Sequence, residues 1–279
     1  MKRSVFVLIA FSLLLCSCGD RELKLRASYD KLFNAIQDEY NEQIMKIQGD
    51  KTLFGPEIPV MMQRLDSMAS TVLFQQGMKL IRKHPSNPGI EYVLKNTYPM
   101  AYSPEDVQTL CEVLSKVRGE AAEIQLVKDI TASVNARNNT LVGKPFADGA
   151  LVAMDGSTKL LLSDHVGKGK YVLAAFWASW CLPFMDELPY LKSVQEKYAG
   201  EDFEILGIAV ADEAEAAGAA VEQAQMVWPQ VLDIDNSLAD AYGIDELPYM
   251  ILFGPDGTVL SRGFSGDYTV KTVSSALGR

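Results

Sequence analysis

Histidine is nearly absent from this 279-residue chain, which has only His84 and His165. Two imidazoles so far apart argue against a histidine-based metal centre. Cysteine is scarce as well: Cys16, Cys18, Cys111 and Cys181 are the full set, too few for a disulfide-stapled scaffold. Positive charge is in deficit, with 26 Lys+Arg against 36 Asp+Glu and a net charge of −10. That balance argues against nucleic acid as a partner, because phosphates demand a basic face. No glycine-rich phosphate loop and no cluster of metal-ligating side chains stands out, so neither a cofactor nor a metal is expected. What the chain does have is 48% hydrophobic residues, which excludes wholesale disorder and suits one or two globular domains.

The four cysteines separate by position. Lys2 and Arg3 precede an apolar run over residues 5–15, too short for the roughly 20 residues of a membrane-spanning helix. A charged start, a short apolar run and then Leu15-Cys16-Ser17-Cys18 read as a secretory leader. The segment resembles a bacterial lipoprotein signal, in which Cys18 after the small Ser17 would be lipidated. Cys16 fits less well, because the bulky Leu15 precedes it. The resemblance implies a leader over residues 1–17 and a protein anchored by lipid to a membrane of the bacterial cell envelope, on its periplasmic side. Removal of Lys2 and Arg3 would take the net charge to −12. An ordinary secretory signal is the alternative.

Residues 18–140 read as helical. Leu25, Tyr29, Leu32, Ile36, Tyr40, Ile44 and Ile47 recur every three or four positions, the period of one helix face, and Gly49-Asp50 ends the run. A second helix is predicted over residues 59–83. Asn87-Pro88 and Ser103-Pro104 have the form of an N-cap followed by a first helical residue. A last helix is predicted over residues 120–136. His84 precedes a proline turn and reads as a solvated loop residue. Cys111 falls on an apolar stripe with Val107, Leu110 and Leu114, which reads as a buried thiol.

The pattern changes at residue 141. Residues 152–162 read as a hairpin around Asp155-Gly156, residues 171–178 are a continuous apolar run that reads as a buried strand, and residues 203–210 read as another buried strand. Helices are predicted over residues 183–198 and 211–226. A second hairpin turns at Pro255-Asp256-Gly257, and a closing helix covers residues 269–277. Alternating strands and helices imply an α/β domain with a mixed sheet covered on both faces. This half holds 9 basic and 20 acidic residues, a net of −11. It therefore carries almost all of the chain's negative charge, read here as a solvated surface.

The first long strand runs into Phe176-Trp177-Ala178-Ser179-Trp180-Cys181-Leu182-Pro183. This resembles the TlpA/ResA-type thioredoxin-like redoxins, whose strand ends in Trp-Ala-Ser-Trp-Cys-x-Pro-Cys. Glu187-Leu188-Pro189, the segment Ala241 to Pro248 and Phe253-Gly254-Pro255-Asp256-Gly257 match further family features in order. The resemblance covers residues 141–279. It implies a thioredoxin-like fold, preceded here by an all-α region. It also implies thiol–disulfide exchange with envelope proteins through Cys181, a substrate surface at Trp180, Pro183, Leu247 and Pro248, and a cis bond before Pro248. In the intact motif a thiolate at a helix N-terminus attacks a disulfide, and a second cysteine one turn on resolves the product.

Here the second position is Phe184. Four readings stay open. Cys181 acts as a single thiol with an external resolving thiol; Cys111 resolves it; the domain is a non-catalytic binding module near Pro248; or Cys181 is peroxidatic. The last is disfavoured because Ala178 and Ala174 stand where peroxiredoxins place threonine and proline. Glu187 is either a buried proton acceptor near the thiol or a surface charge, with the surface reading preferred. His165 has no motif around it.

Overall fold

The computed structural model describes residues 4–50, 57–101, 103–200 and 202–279, with side chains from residue 19 onward. The leader side chains, Cys16 and the expected lipidation residue Cys18 lie outside the described side chains. Among the described residues, no helix is long and apolar enough to cross a membrane. The chain divides into two compact units, Met1–Ala132 and Ser133–Arg279.

The first unit is built of α1 (Ser4–Gly49), α2 (Glu57–Lys83), α3 (Ile90–Thr97), α4 (Pro104–Leu114), α5 (Glu120–Glu123) and the start of α6 (Gln125–Asn139). The Ser103 signal works as read: its hydroxyl accepts from the Asp106 N–H at 3.1 Å, and the Asp106 carboxylate accepts from the Ser103 N–H at 3.1 Å. This reciprocal box satisfies two orphan donors of the first turn. Two sequence expectations shift. Asn87 accepts from the Gly89 N–H at 2.9 Å, so it closes a turn and α3 starts only at Ile90. The helix expected over residues 120–136 is interrupted at Ile124, whose ψ of 127° is extended. Cys111 is partly exposed rather than in the core, because Val107, Leu110, Val113 and Leu114 form the buried stripe of α4. Desolvation still pushes its thiol pKa upward.

The second unit is a seven-stranded sheet of β1 (Ala150–Ala153), β2 (Lys159–Leu161), β3 (Tyr171–Trp177), β4 (Phe203–Val210), β5 (Gln230–Asp233), β6 (Tyr249–Phe253) and β7 (Val259–Arg262), in the order β2-β1-β5-β4-β3-β6-β7. The strands β3, β4 and β5 are parallel, while β6 runs antiparallel to β3 and β1 to β5. Successive residues of β3 face opposite sides, as the pleat requires. Leu173, Ala175 and Trp177 join one apolar cluster with α7 (Pro183–Tyr198), α8 (Ala214–Ala224) and α10 (Asp267–Leu277), whereas Val172, Ala174 and Phe176 join the opposite cluster with α9 (Ser237–Ala241). Both faces are covered, so β3 is apolar throughout and β4 is apolar except for Glu204 near its start, rather than alternating. This is the thioredoxin-like α/β architecture expected from the motif.

β5 and α9 were not legible in the sequence. β5 has four residues, and α9 is five residues long and held at its start by the last residue of β5: Asp233 is buried and accepts from the Leu238 and Ala239 N–H groups at 3.1 and 2.8 Å. Burial nevertheless raises its pKa. The last residues of α6 belong to the sheet unit, where Arg137 donates to the Gly243 carbonyl at 3.0 Å and pairs with Asp245 at 2.9 Å.

His165 acquires a partner. Its Nδ1 lies 2.9 Å from Glu204 Oε1, and this contact, ahead of Lys170, holds the Glu204 carboxyl below its ordinary value despite partial burial. A carboxyl lowered by folding stabilises the native state above its unfolded pKa, and that contribution disappears as pH falls through the folded value. His165→Ala should therefore cost up to about 1 kcal/mol at pH 6, the upper end for a pair that still touches water. The gap from wild type should close below about pH 4. Urea denaturation at both pH values checks this; an equal gap at both would assign the loss to packing.

Candidate functional site

β3 ends at Trp177, and the chain turns through Ala178-Ser179-Trp180-Cys181 before α7 starts at Pro183. The Cys181 N–H donates to the Ala178 carbonyl at 3.0 Å, and the Phe184 N–H to the Cys181 carbonyl at 3.1 Å, so the cysteine lies immediately before the first turn of α7. Pro183 suits that position because a first-turn N–H has no intrahelical acceptor to lose. Cys181 is 4% exposed, while its neighbours Trp180 and Leu182 are 63% and 79% exposed. The thiol is thus recessed between two protruding apolar side chains. Large apolar groups held in water next to a reactive atom suit contact with a partner rather than core packing.

Phe184, where the motif resemblance leads to the expectation of a second cysteine, is fully buried. Its ring stacks on Trp177 with centroids 5.1 Å apart and planes 20° from parallel. Trp177 is held in turn, since its Nε1–H donates to Gln230 Oε1 at 3.0 Å. To reach that donor the Gln230 side chain crosses β4 directly over Gly207, where a Cβ would sit 1.9 Å from Gln230 Oε1. Glycine at 207 is therefore part of the support beneath the Cys181 turn.

The Leu247–Pro248 peptide is cis, as the motif implied. Its position follows from register: Tyr249, the next residue, pairs with Phe176, so the bond lies at the end of the sheet where β3 delivers Cys181. Leu247 is half-buried and packs against the cluster that contains Cys181, Trp177 and Phe184. The sequence-predicted residues Trp180, Cys181, Pro183, Leu247 and Pro248 therefore share one end of the domain.

Two carboxylates differ from expectation. Glu187, for which a surface position was preferred, is buried on α7, and its Oε2 accepts from the Gly266 N–H at 2.8 Å. It is spent on the N-terminus of α10, whose first N–H groups lack intrahelical acceptors. Asp212, expected in the first turn of α8, precedes that helix and is buried. It accepts from the Ser179 N–H at 2.5 Å, the Ser179 hydroxyl at 2.9 Å and the Glu213 N–H at 3.0 Å. The Cys181 turn is thereby tied to the end of β4 by a charge-assisted acceptor, a strong class of hydrogen bond. The sequence signal was Ser179 inside the motif, but nothing local showed which acceptor it would find. Asp212→Ala should cost about 1–3 kcal/mol by leaving the Ser179 donors unpaired. The urea midpoint reports it, and an unchanged midpoint would mean that water replaces the carboxylate without loss.

Among the described residues no cluster of His, Cys, Asp or Glu could hold a metal ion, and Cys111 and Cys181 both carry thiols rather than disulfides. The arrangement presents one recessed thiol beneath an apolar rim.

Residues 142–262 match the AhpC/TSA family. The chain is 32% identical over 102 residues to the thiol-disulfide oxidoreductase ResA of Bacillus subtilis (strain 168), covering 37% of this chain and 56% of that protein. It is 31% identical over 122 residues to a ResA of Bacillus cereus, covering 43% of this chain and 68% of that one. The chain thus spans little more than half the length of the Bacillus subtilis relative. Among solved structures, a thiol-disulfide oxidoreductase from Bacteroides fragilis NCTC 9343 is 31% identical, with a TM-score of 0.44, over 47% of this chain and 98% of that one. The thioredoxin domain of a thiol-disulfide oxidoreductase from Bacteroides vulgatus is 28% identical, with a TM-score of 0.44, over 48% and 96%.

Proposed function

Because the chain belongs to the ResA-type thiol-disulfide oxidoreductase family, we propose that it exchanges thiols with protein disulfides through Cys181 alone, in the bacterial cell envelope, tethered to the membrane by lipidated Cys18. The observation that carries this reading is the recessed Cys181 between exposed Trp180 and Leu182, with a buried aromatic ring, not a second thiol, one helical turn on. In the first step the Cys181 thiolate attacks one sulfur of a partner disulfide. A Cys181–partner S–S bond forms, and the partner's other sulfur leaves as thiolate. With Phe184 in the resolving position, the turn itself supplies no resolving thiol; the partner's released thiolate can only reverse the step, and forward turnover needs an external thiol, from a small molecule or a second protein. Attack on the partner sulfur returns Cys181 as thiolate and leaves the external thiol joined to the partner; a further external thiol completes the partner's reduction. The partly exposed Cys111, whose thiol is pushed toward its protonated form, is the weaker choice of resolver.

Incubation with a peptide disulfide should yield a one-to-one mixed disulfide at Cys181, read by intact-mass spectrometry. The adduct should persist until a small thiol is added, and Cys181→Ser should form none. Absence of the adduct in wild type would end the exchange reading. Peptide binding that survives in Cys181→Ser and is lost in Trp180→Ala would instead support a non-catalytic binding module, which the protruding Trp180 and Leu182 also suit.

A further inference from the structure

The helical unit contains an arm that does not bury its own apolar side chains. The buried residues of α2 are Leu73, Phe74, Gly77, Met78 and Ile81, all in its second half, and those of α1 among the described side chains are Leu25 and Tyr29. Beyond them, residues 30–49 of α1 and 57–72 of α2 hold no buried residue. The two segments pack side by side, with Tyr40 donating to Asp66. Between them runs a groove of about 490 Å³ lined by apolar side chains that include Ile36, Ile47, Met61, Leu65, Met68 and Val72. Helices draw most of their stability from burying an apolar face, and a pair that leaves such a face in water calls for a further layer.

The charges in the groove point to that layer. Its two ionic residues are Glu39 on α1 and Arg64 on α2. Among the described residues neither has an ion pair or hydrogen-bond partner, although the arm's other contacts, Glu42 with Lys46 and Tyr40 with Asp66, are made. The groove therefore carries no net charge, and it presents one group of each sign on opposite walls. A two-fold axis sets residue i of one copy against residue j of the other, and the reverse. Glu39 of each copy then meets Arg64 of the other while the apolar walls interdigitate. A groove built for anionic lipid would be basic, and one built for a basic helix would be acidic.

We propose that two copies of this chain pair through the α1–α2 arms, forming a four-helix bundle. Sedimentation velocity on the full protein, over about 1 to 100 µM, should show a monomer–dimer equilibrium. Met68 is 65% exposed, so Met68→Glu should leave the circular dichroism spectrum unchanged while weakening the dimer at least about tenfold. Arg64→Glu and Glu39→Arg should each weaken it about tenfold through facing like charges, and the double variant should recover wild-type association, because the exchanged pair is again complementary. A monomer at every concentration overturns the proposal. A dimer indifferent to Met68→Glu and to both single charge variants overturns it as well, by placing the interface elsewhere. Binding of anionic vesicles by a protein that stays monomeric would do the same.

Discussion

Phe184→Cys is expected to lower the stability of the protein by about 2–4 kcal/mol in the reduced state, within the range for truncating a buried phenylalanine, while giving it a redox couple. The loss follows from the position of the ring. Phe184 is fully buried and stacked on Trp177 at 5.1 Å. Cysteine at that position leaves a cavity on one face of the indole, and an aromatic pair adds about 0.5–1.5 kcal/mol beyond area burial. The gain follows from the backbone. Cys181 and residue 184 are already one turn apart, with the 184 N–H on the Cys181 carbonyl at 3.1 Å. Urea denaturation with reductant measures the cost. Equilibration with glutathione buffers, followed by alkylation and mass spectrometry, measures the couple. A variant that keeps its urea midpoint would show that neighbouring side chains refill the space. One that forms no intramolecular disulfide under oxidising buffer would show that position 184 no longer faces Cys181.

Arg262→Ala is expected to cost a similar amount, about 2–4 kcal/mol, for a different reason. The guanidinium of Arg262 donates to the Thr140 carbonyl at 2.9 Å and the Thr140 hydroxyl at 2.6 Å. It also donates to the Tyr242 carbonyl at 2.6 Å and the Tyr249 hydroxyl at 3.0 Å, and its carbon lies 5.3 Å from the centre of the Tyr249 ring. Thr140 and Tyr242 are buried, so truncation strands acceptors with no water to replace the donor, and such losses exceed the net value of the bonds. Arg262→Lys should recover little, because one ammonium cannot reproduce a planar fork that addresses several acceptors at once. Guanidinium denaturation of the three proteins decides this. A lysine variant as stable as wild type would mean that charge alone, rather than fork geometry, holds the corner.

The parts of this protein legible in the sequence are those whose signal is local. The capping box at Ser103, the strand over Tyr171–Trp177 and the helix Pro183–Tyr198 follow from neighbours within a few residues, and all are present. The Cys181 turn was legible because Trp177 to Cys181 and Pro183 carried the motif. What could not be read depends on partners far along the chain. Asp212 reaches Ser179 across 33 positions and Glu187 reaches Gly266 across 79; a carboxylate on an amphipathic helix looks the same whether it faces water or another helix's N-terminus. Strand β5 failed for the same reason. Four residues have too little pattern of their own, and it is their place between β1 and β4 that makes them a strand.

The passage of Gln230 over Gly207 has a consequence for how the domain can vary. A Cβ at 207 would lie 1.9 Å from Gln230 Oε1, so a side chain there displaces the end of the Gln230 amide. A chain that acquires alanine at 207 must swing that amide aside, and then the Trp177 N–H loses its acceptor, loosening the indole on which Phe184 rests. The indole on which Phe184 rests is thus held in part by the absence of a side chain on the neighbouring strand. In related sequences, residues 177, 184, 207 and 230 should be inherited as one block.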